Sequence, residues 1–261
     1  MITGINTLSV IAIRKEPSDK SEMVSQLLFG EMYLVIEKND KWLYIETIFD
    51  RYRGYIDAKH FVNANDKEYY NYINSLTLIN SDLFSIIINL KSHTRQYIPA
   101  GSNIPEIKRL HNTFFIGNEN FKIKKCNLTK PYKKDRNFII NTAKRFLNTP
   151  YLWGGRTFMG IDCSGFTQLV YKISGFSLPR DAYLQAQAGT NISSVEKASA
   201  GDLLFFKNNE EKIVHVGIYM GKNQIIHSSG MVKIEKVDDT GIWNNAINNY
   251  SHKLVSIKSF I

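Results

Sequence analysis

The sequence predicts an α+β chain in three pieces, two small β modules followed by an α+β domain. Three observations carry this. Short strands separated by turn-formers fill residues 1–64, and a second run of hairpin signals fills 65–128. From residue 129 onward, capped helical periodicity gives way to apolar strands. A length of 261 residues exceeds one ordinary domain. With 43% hydrophobic and 22% charged residues, the chain has enough apolar surface to fold, which excludes disorder and collagen-like repeats.

In the first module the runs LSVIAI, MYLVIE, WLYIET and GYID are set apart by Glu16-Pro17-Ser18-Asp19, Asn39-Asp40 and Asp50. Trp42 and Tyr44 alternate with Leu43 and Ile45, the period of a half-buried strand. In the second, DKEYYNYINSL reads as a short helical connector, IPAGSNIP as a loop with two prolines, and FFIGNENFKIKK as a hairpin around Gly117-Asn118. Beyond Lys130, Asp135 caps a predicted helix running through Leu147, with Ile139, Ile140, Ala143, Phe146 and Leu147 apolar and Pro150 just past its end. A second helix follows Asp162. Its stripe is Phe166, Leu169, Val170 and Ile173, and Gly175 stops it. The strands GDLLFF, VHVGIYM, QIIHS and MVKIEKV complete the domain.

Lys and Arg number 33 against 24 Asp and Glu, a net +9 that invites an anionic partner. No recognition helix or stacking platform accompanies the charge, so no nucleic-acid partner is expected. The longest apolar run, Phe84 to Leu90, falls short of the roughly 20 residues of a spanning helix, and no membrane span is expected. The N-terminus has no basic stretch ahead of an apolar one, which predicts a cytoplasmic protein. Two cysteines, Cys126 and Cys163, are too few for a disulfide framework and suit a reducing compartment.

Cys163 is the first residue after a predicted N-cap, where the helix dipole and unpaired N–H groups favour a thiolate nucleophile. Gly154, Gly155, Gly160 and Gly165 would leave backbone room around the sulfur for a substrate. A nucleophile needs a base. In VHVGIYM, His215, Gly217 and Tyr219 share one face. A three-residue turn over Gly221-Lys222-Asn223 would pair Met220 with Gln224 and Gly217 with His227. His227 would then lie diagonal to His215, roughly 7–8 Å away between Cα atoms. A two-residue turn would set the two rings on opposite faces. Zinc is not expected, because no tight pair such as HxxxH or CxxC anchors a site; no cofactor is expected either. His60, His93, His111 and His252 sit in polar contexts and read as surface residues, and Cys126 as a strand thiol without a role.

At PYLWGG (150–155), DCSGFTQLVYKISGFSLPRDA (162–182), GDLLFF (201–206), HVGIYMG (215–221) and IIHSSG (225–230) the chain resembles the NlpC/P60 family of papain-like cysteine peptidases. These motifs stand in the family's order and cover about half the chain. The resemblance implies a papain-like catalytic domain over 129–261, with Cys163 as nucleophile, His215 as general base, His227 as orienting partner and Tyr151 beside the oxyanion. The upstream part, through IRKEPSDKSEMVSQLLFGE at 13–31, is similar to bacterial SH3-type modules that precede this domain in dipeptidyl-peptidase members.

That resemblance further implies a substrate, a peptidoglycan peptide with a free N-terminal L-Ala, cut at the γ-D-glutamyl bond to the diamino acid. Asp162 and Ser164 flank the nucleophile, and Trp153, Arg180 and Asp181 fall in the same motifs. Glu31 and Tyr55 of the first module are expected to complete the substrate-binding set. Ala182 stands where relatives often carry serine, which would remove one hydrogen bond to the substrate. A monomer is expected. A non-catalytic cell-wall binding protein, and an amidase or acyltransferase on the same fold, are the competing expectations.

Overall fold

The structure, a computed structural model, describes residues 2–261 other than 75–76, 106, 108–110, 131 and 133. It divides into two compact units, Met1–Pro131 with Gly154–Phe158, and Tyr132–Trp153 with Met159–Ile261.

The first unit opens with β1 (Ile2–Ile5), β2 (Val10–Arg14), β3 (Met23–Leu28), β4 (Met32–Lys38), β5 (Trp42–Thr47) and β6 (Arg53–Asp57). They form one six-stranded sheet in the order β1-β4-β5-β6-β2-β3. Its inward faces supply Ile11, Ile13, Leu27, Tyr33, Leu43, Ile45 and Ile56, all buried. Helix α1 (Asp66–Ile73) follows, closed by a capping box between Asn65 and Glu68. It occupies the predicted connector, whose last two positions, 75–76, lie outside the described residues.

The next seven strands are β7 (Leu78–Asn80), β8 (Phe84–Asn89), β9 (Arg95–Pro99), β10 (Asn103–Ile104), β11 (Thr113–Ile116), β12 (Glu119–Lys125) and β13 (Leu128–Thr129). Ile116 pairs with Glu119, so the β11–β12 hairpin turns on Gly117-Asn118 as the sequence predicts. Segments 1–64 and 65–128 share a core. Phe29 from the first meets Phe114 and Phe121 from the second edge-on, with centroids 6.1 and 5.6 Å away.

Also in this unit is β14 (Arg156–Thr157). The Arg156 guanidinium grips Glu31 at 2.9 and 3.0 Å and donates to the Gln26 carbonyl at 2.6 Å. Both side chains of this pair are 2% exposed. Glu31 also accepts the Leu28 N–H at 2.8 Å. Its carboxylate, expected to bind substrate, thus carries a buried ion pair inside the module. Tyr55 is half-buried on β6 and packs its ring 4.8 Å from Tyr44, its cross-strand partner.

The second unit contains α2 (Arg136–Lys144), β15 (Gly160–Ile161), α3 (Cys163–Ile173), α4 (Ala182–Gln185) and strands β16 (Thr190–Ile192), β17 (Leu203–Lys207), β18 (Ile213–Gly221), β19 (Gln224–Ser229), β20 (Met231–Val237), β21 (Gly241–Asn244) and β22 (Asn249–Ser259). The sheet order β16-β22-β17-β18-β19-β20-β21, with β21 also pairing β22, closes the last six strands into a barrel. Asp135 caps α2 through the Phe138 N–H as predicted. The helix ends at Lys144 and not Leu147, because residues 145–147 tighten into i→i+3 hydrogen bonds.

Helix α3 differs more from its predicted stripe, since all 11 of its residues are buried. Two of its polar side chains bond beyond the helix: Thr167 Oγ1 donates to Gln185 at 2.8 Å and Gln168 Nε2 to the Leu178 carbonyl at 3.1 Å. At its end Gly175, at φ 83°, and Phe176 donate back to the Lys172 and Tyr171 carbonyls. This is the left-handed glycine stop the sequence announces. No helix among the described residues is long and apolar enough to cross a membrane.

Candidate active site

Helix α3 and strands β18, β19, β20 and β22 bring the reactive groups together. Asp162 accepts the Gly165 N–H at 2.6 Å, which fixes the start of α3 and puts Cys163 in its first turn. Arg180 clamps that cap. Its guanidinium donates to both Asp162 carboxylate oxygens, Nη1 at 3.0 Å to Oδ1, and to Ser164 Oγ at 2.9 Å. Arg180 and Asp162 are 2% and 5% exposed, so this pair is a buried brace for the nucleophile's helix. Asp181 stands at the N-cap of α4, Ala182 is its buried first residue, and Trp153 is exposed.

Cys163 is 6% exposed, and its Sγ lies 3.9 Å from the Val214 carbonyl, the residue before His215. Burial pushes the thiol up to about 12, and the Asp162 carboxylate adds to this. The N–H groups of Val216 and Ser164 oppose it. A helix dipole contributes only about 0.3–1 kcal/mol, less than one pKa unit, so desolvation wins. Burial thus works against the preformed thiolate that the helix start favours. Iodoacetamide modification of Cys163, followed by intact mass, should keep accelerating through about pH 9. A rate level from about pH 5 to 8 would instead mean a standing thiolate–imidazolium pair.

The two histidines meet as predicted, by a route the sequence did not show. Gly217 pairs with His227, but Gly221, not Met220, pairs with Gln224. The turn has two residues, Lys222 and Asn223, both at positive φ (53° and 56°). A bulge at Met220 absorbs the extra residue and restores the shared face. Nε2 of His215 then lies 2.8 Å from Nδ1 of His227. Gly217 makes the approach possible, because a Cβ there would stand 2.8 Å from the His227 Cβ. Gly154 and Gly160, expected to open space near the sulfur, serve close packing: a Cβ would lie 2.3 Å from the Met23 carbonyl oxygen and 2.6 Å from the Leu152 Cβ respectively.

Three further residues gather around the two rings. His227 Nε2 lies 2.8 Å from Glu235 Oε2, and Lys233 Nζ is 3.1 Å from the same oxygen. His252 stacks on His215 with centroids 4.3 Å apart, which corrects its reading as an unremarkable surface residue. The alternation of Lys233 and Glu235 directly after the QIIHSS strand was a usable signal for the first pair. His252 had none, since β22 reaches the site only through barrel closure. Burial lowers all three imidazoles, His215 well below the usual histidine value and His252 to about 4, so they stand neutral at pH 7. Tyr151 donates its N–H to the Gly230 carbonyl at 2.9 Å. Burial and the nearby Cys163 and Asp162 raise its hydroxyl, keeping it a protonated donor. Cys126, half-buried outside this unit, is pushed up to about 11 by burial.

The profile of the NlpC/P60 family matches residues 148–251, and that of the bacterial dipeptidyl-peptidase SH3 domain matches residues 13–61. A gamma-D-glutamyl-L-lysine dipeptidyl-peptidase of Bacillus subtilis is 49% identical over 92 residues, covering 34% of this chain and 31% of that protein. Its namesake in Bacillus cereus is 42% identical over 92 residues, covering 34% of this chain and 27% of its own length. The matches to these two relatives thus span less than a third of either. Dipeptidyl-peptidase 6 of Lysinibacillus sphaericus is 28% identical over 237 residues, 82% of this chain and 83% of that one. An NlpC/P60 family protein of Bacillus cereus, solved by crystallography, shares the fold, with a TM-score of 0.83 at 18% identity over 99% of each chain. Residues 148–251, which carry Cys163, His215 and His227, are therefore an NlpC/P60 domain, and residues 13–61 a bacterial dipeptidyl-peptidase SH3 domain.

Proposed function

We propose that this chain is a cysteine peptidase that hydrolyses the γ-D-glutamyl–diamino acid bond of peptidoglycan peptides, acting on small peptides with a free N-terminal L-Ala. The observation that carries this reading is the buried ring pair, His215 Nε2 2.8 Å from His227 Nδ1, on the strand whose Val214 carbonyl lies 3.9 Å from the Cys163 sulfur. The names of the dipeptidyl-peptidase relatives support the bond type.

Neutral His215 takes the Cys163 proton on Nδ1 as the sulfur attacks the γ-carbonyl carbon of D-Glu. The Cys163 N–H, free of intrahelical partners in the first turn, and the Tyr151 hydroxyl donate to the resulting oxyanion. As the C–N bond breaks, the proton on His215 passes to the leaving amine, and a thioester remains on Cys163. Water, deprotonated by His215, then cleaves the thioester and returns the thiol. The substrate ammonium is proposed to lie on the Asp162–Ser164 side of the sulfur, where Arg180 offsets part of the Asp162 charge. Action as a monomer is part of this reading. Two free cysteines support a reducing, cytoplasmic setting and a place in peptide recycling.

The test is incubation with L-Ala-γ-D-Glu-diaminopimelate and with its N-acetylated form, read by mass spectrometry. Release of L-Ala-D-Glu from the free peptide alone is expected. Equal cleavage of both would remove the ammonium requirement, and cleavage of neither would overturn the peptidase reading.

A further inference from the structure

The face that holds the two histidines does not end at His227. Across β19 and β20, His227 pairs with Lys233 and Ile225 with Glu235, so Glu235 is the diagonal neighbour of His227 on that face. Its Oε2 lies 2.8 Å from His227 Nε2 and is itself held by Lys233 at 3.1 Å. The His227 side chain is fully buried and that of Glu235 is 14% exposed. The carboxylate is thus placed, charge-balanced and largely shielded from water.

We propose that Glu235 is a positioning residue for the peptidase reaction, locking His227 in the tautomer that leaves the Nδ1 lone pair of His215 free for the Cys163 thiol. The inference rests on the function proposed above. Its logic is hydrogen-bond bookkeeping. An ionised carboxylate only accepts, so the neutral His227 ring must carry its proton on Nε2. Its Nδ1 is then an acceptor, and the His215 Nε2 facing it must be the donor. A neutral His215 with its proton on Nε2 has its lone pair on Nδ1. Burial lowers His227 and the Glu235 hydrogen bond raises it, and the net direction is downward. Glu235 falls too: burial would raise it, but His227 and Lys233 outweigh that. The titratable groups gathered around His227 are Glu235 and Lys233 on β20, His215 on β18 and His252 on β22. Among them, Glu235 alone can act as a carboxylate acceptor.

Glu235→Gln keeps the shape but offers an amide that can donate to His227 Nε2. When the amide donates, the whole line reverses and a proton sits on the His215 nitrogen that should be bare. In wild-type protein, ¹⁵N-histidine NMR should show His227 protonated on Nε2, and Glu235→Gln should shift that proton toward Nδ1. Against the free peptide, Glu235→Gln should lower kcat about tenfold to a hundredfold, with KM unchanged within about twofold. A wild-type His227 protonated on Nδ1, or a Glu235→Gln variant with kcat within about twofold of wild type, would overturn the proposal. Because the NMR readout needs no substrate, it decides on Glu235 even if the peptide is not cleaved, an outcome that would fall on the proposed function instead. Should Glu235→Gln fail to fold, Glu235→Ala is read by the same spectrum, and an unaltered His227 tautomer there would overturn the proposal.

Discussion

Cys163→Ala should abolish cleavage of the free peptide, with a loss of at least about 10⁴-fold in kcat, while the fold persists. The sulfur makes the covalent bond, and no other thiol lies in its unit; Cys126 belongs to the other. Stability should change by no more than about 1 kcal/mol, because the sulfur's recorded hydrogen-bond contact with Val214 is a weak one at 3.9 Å and only one atom leaves. His215→Ala should cost a comparable factor, and the double variant little more than either, since nucleophile and base act as one unit. Product mass spectrometry beside a thermal melt checks this. Turnover above about 1% of wild type in folded Cys163→Ala would mean that the nucleophile lies elsewhere.

Glu31→Ala should have the largest effect on stability. Glu31 and Arg156 are each 2% exposed and bound at two points, 2.9 and 3.0 Å. Removing the carboxylate takes from a buried guanidinium the charge that holds it at two points. The expected cost is about 3–5 kcal/mol, or roughly 10 °C in the melting of the first unit. Replacing both residues, Glu31→Leu with Arg156→Met, should recover much of that loss, because two apolar side chains need no charge compensation. Hydrogen exchange over β3 and β4 resolves the first unit from the second. Unchanged exchange in Glu31→Ala would show that the pair contributes nothing.

Much of the scaffold was legible because its signals are local. Asp135 and Asp162 as caps, Gly175 as a stop and Gly117-Asn118 as a turn all act within a few residues of the chain. The strand alternation of VHVGIYM put His215, Gly217 and Tyr219 on one face, and the register does pair Gly217 with His227. The step between them was misread. A three-residue turn was expected, whereas a two-residue turn and a bulge at Met220 give the same outcome. A bulge is set by how β17, β18 and β19 twist together, and no single residue announces it.

Burial explains the remaining differences. Glu31 was expected to bind substrate, and its partner in the buried ion pair, Arg156, stands 125 residues away in the chain. Helix α3 looked amphipathic, yet its polar side is covered too, with Thr167 and Gln168 hydrogen-bonded to residues beyond the helix.

The residue types and spacing around Cys163, His215 and His227 were enough to pick out a candidate nucleophile, a candidate base and a candidate orienting partner. Identity and order are properties of the chain itself. Their protonation states were not within its reach. Whether the thiol is neutral, which nitrogen of His215 is bare and why Glu235 and His252 matter all depend on solvent exclusion and on strands brought together by barrel closure. Those are properties of the space around each atom, and only the tertiary structure defines that space.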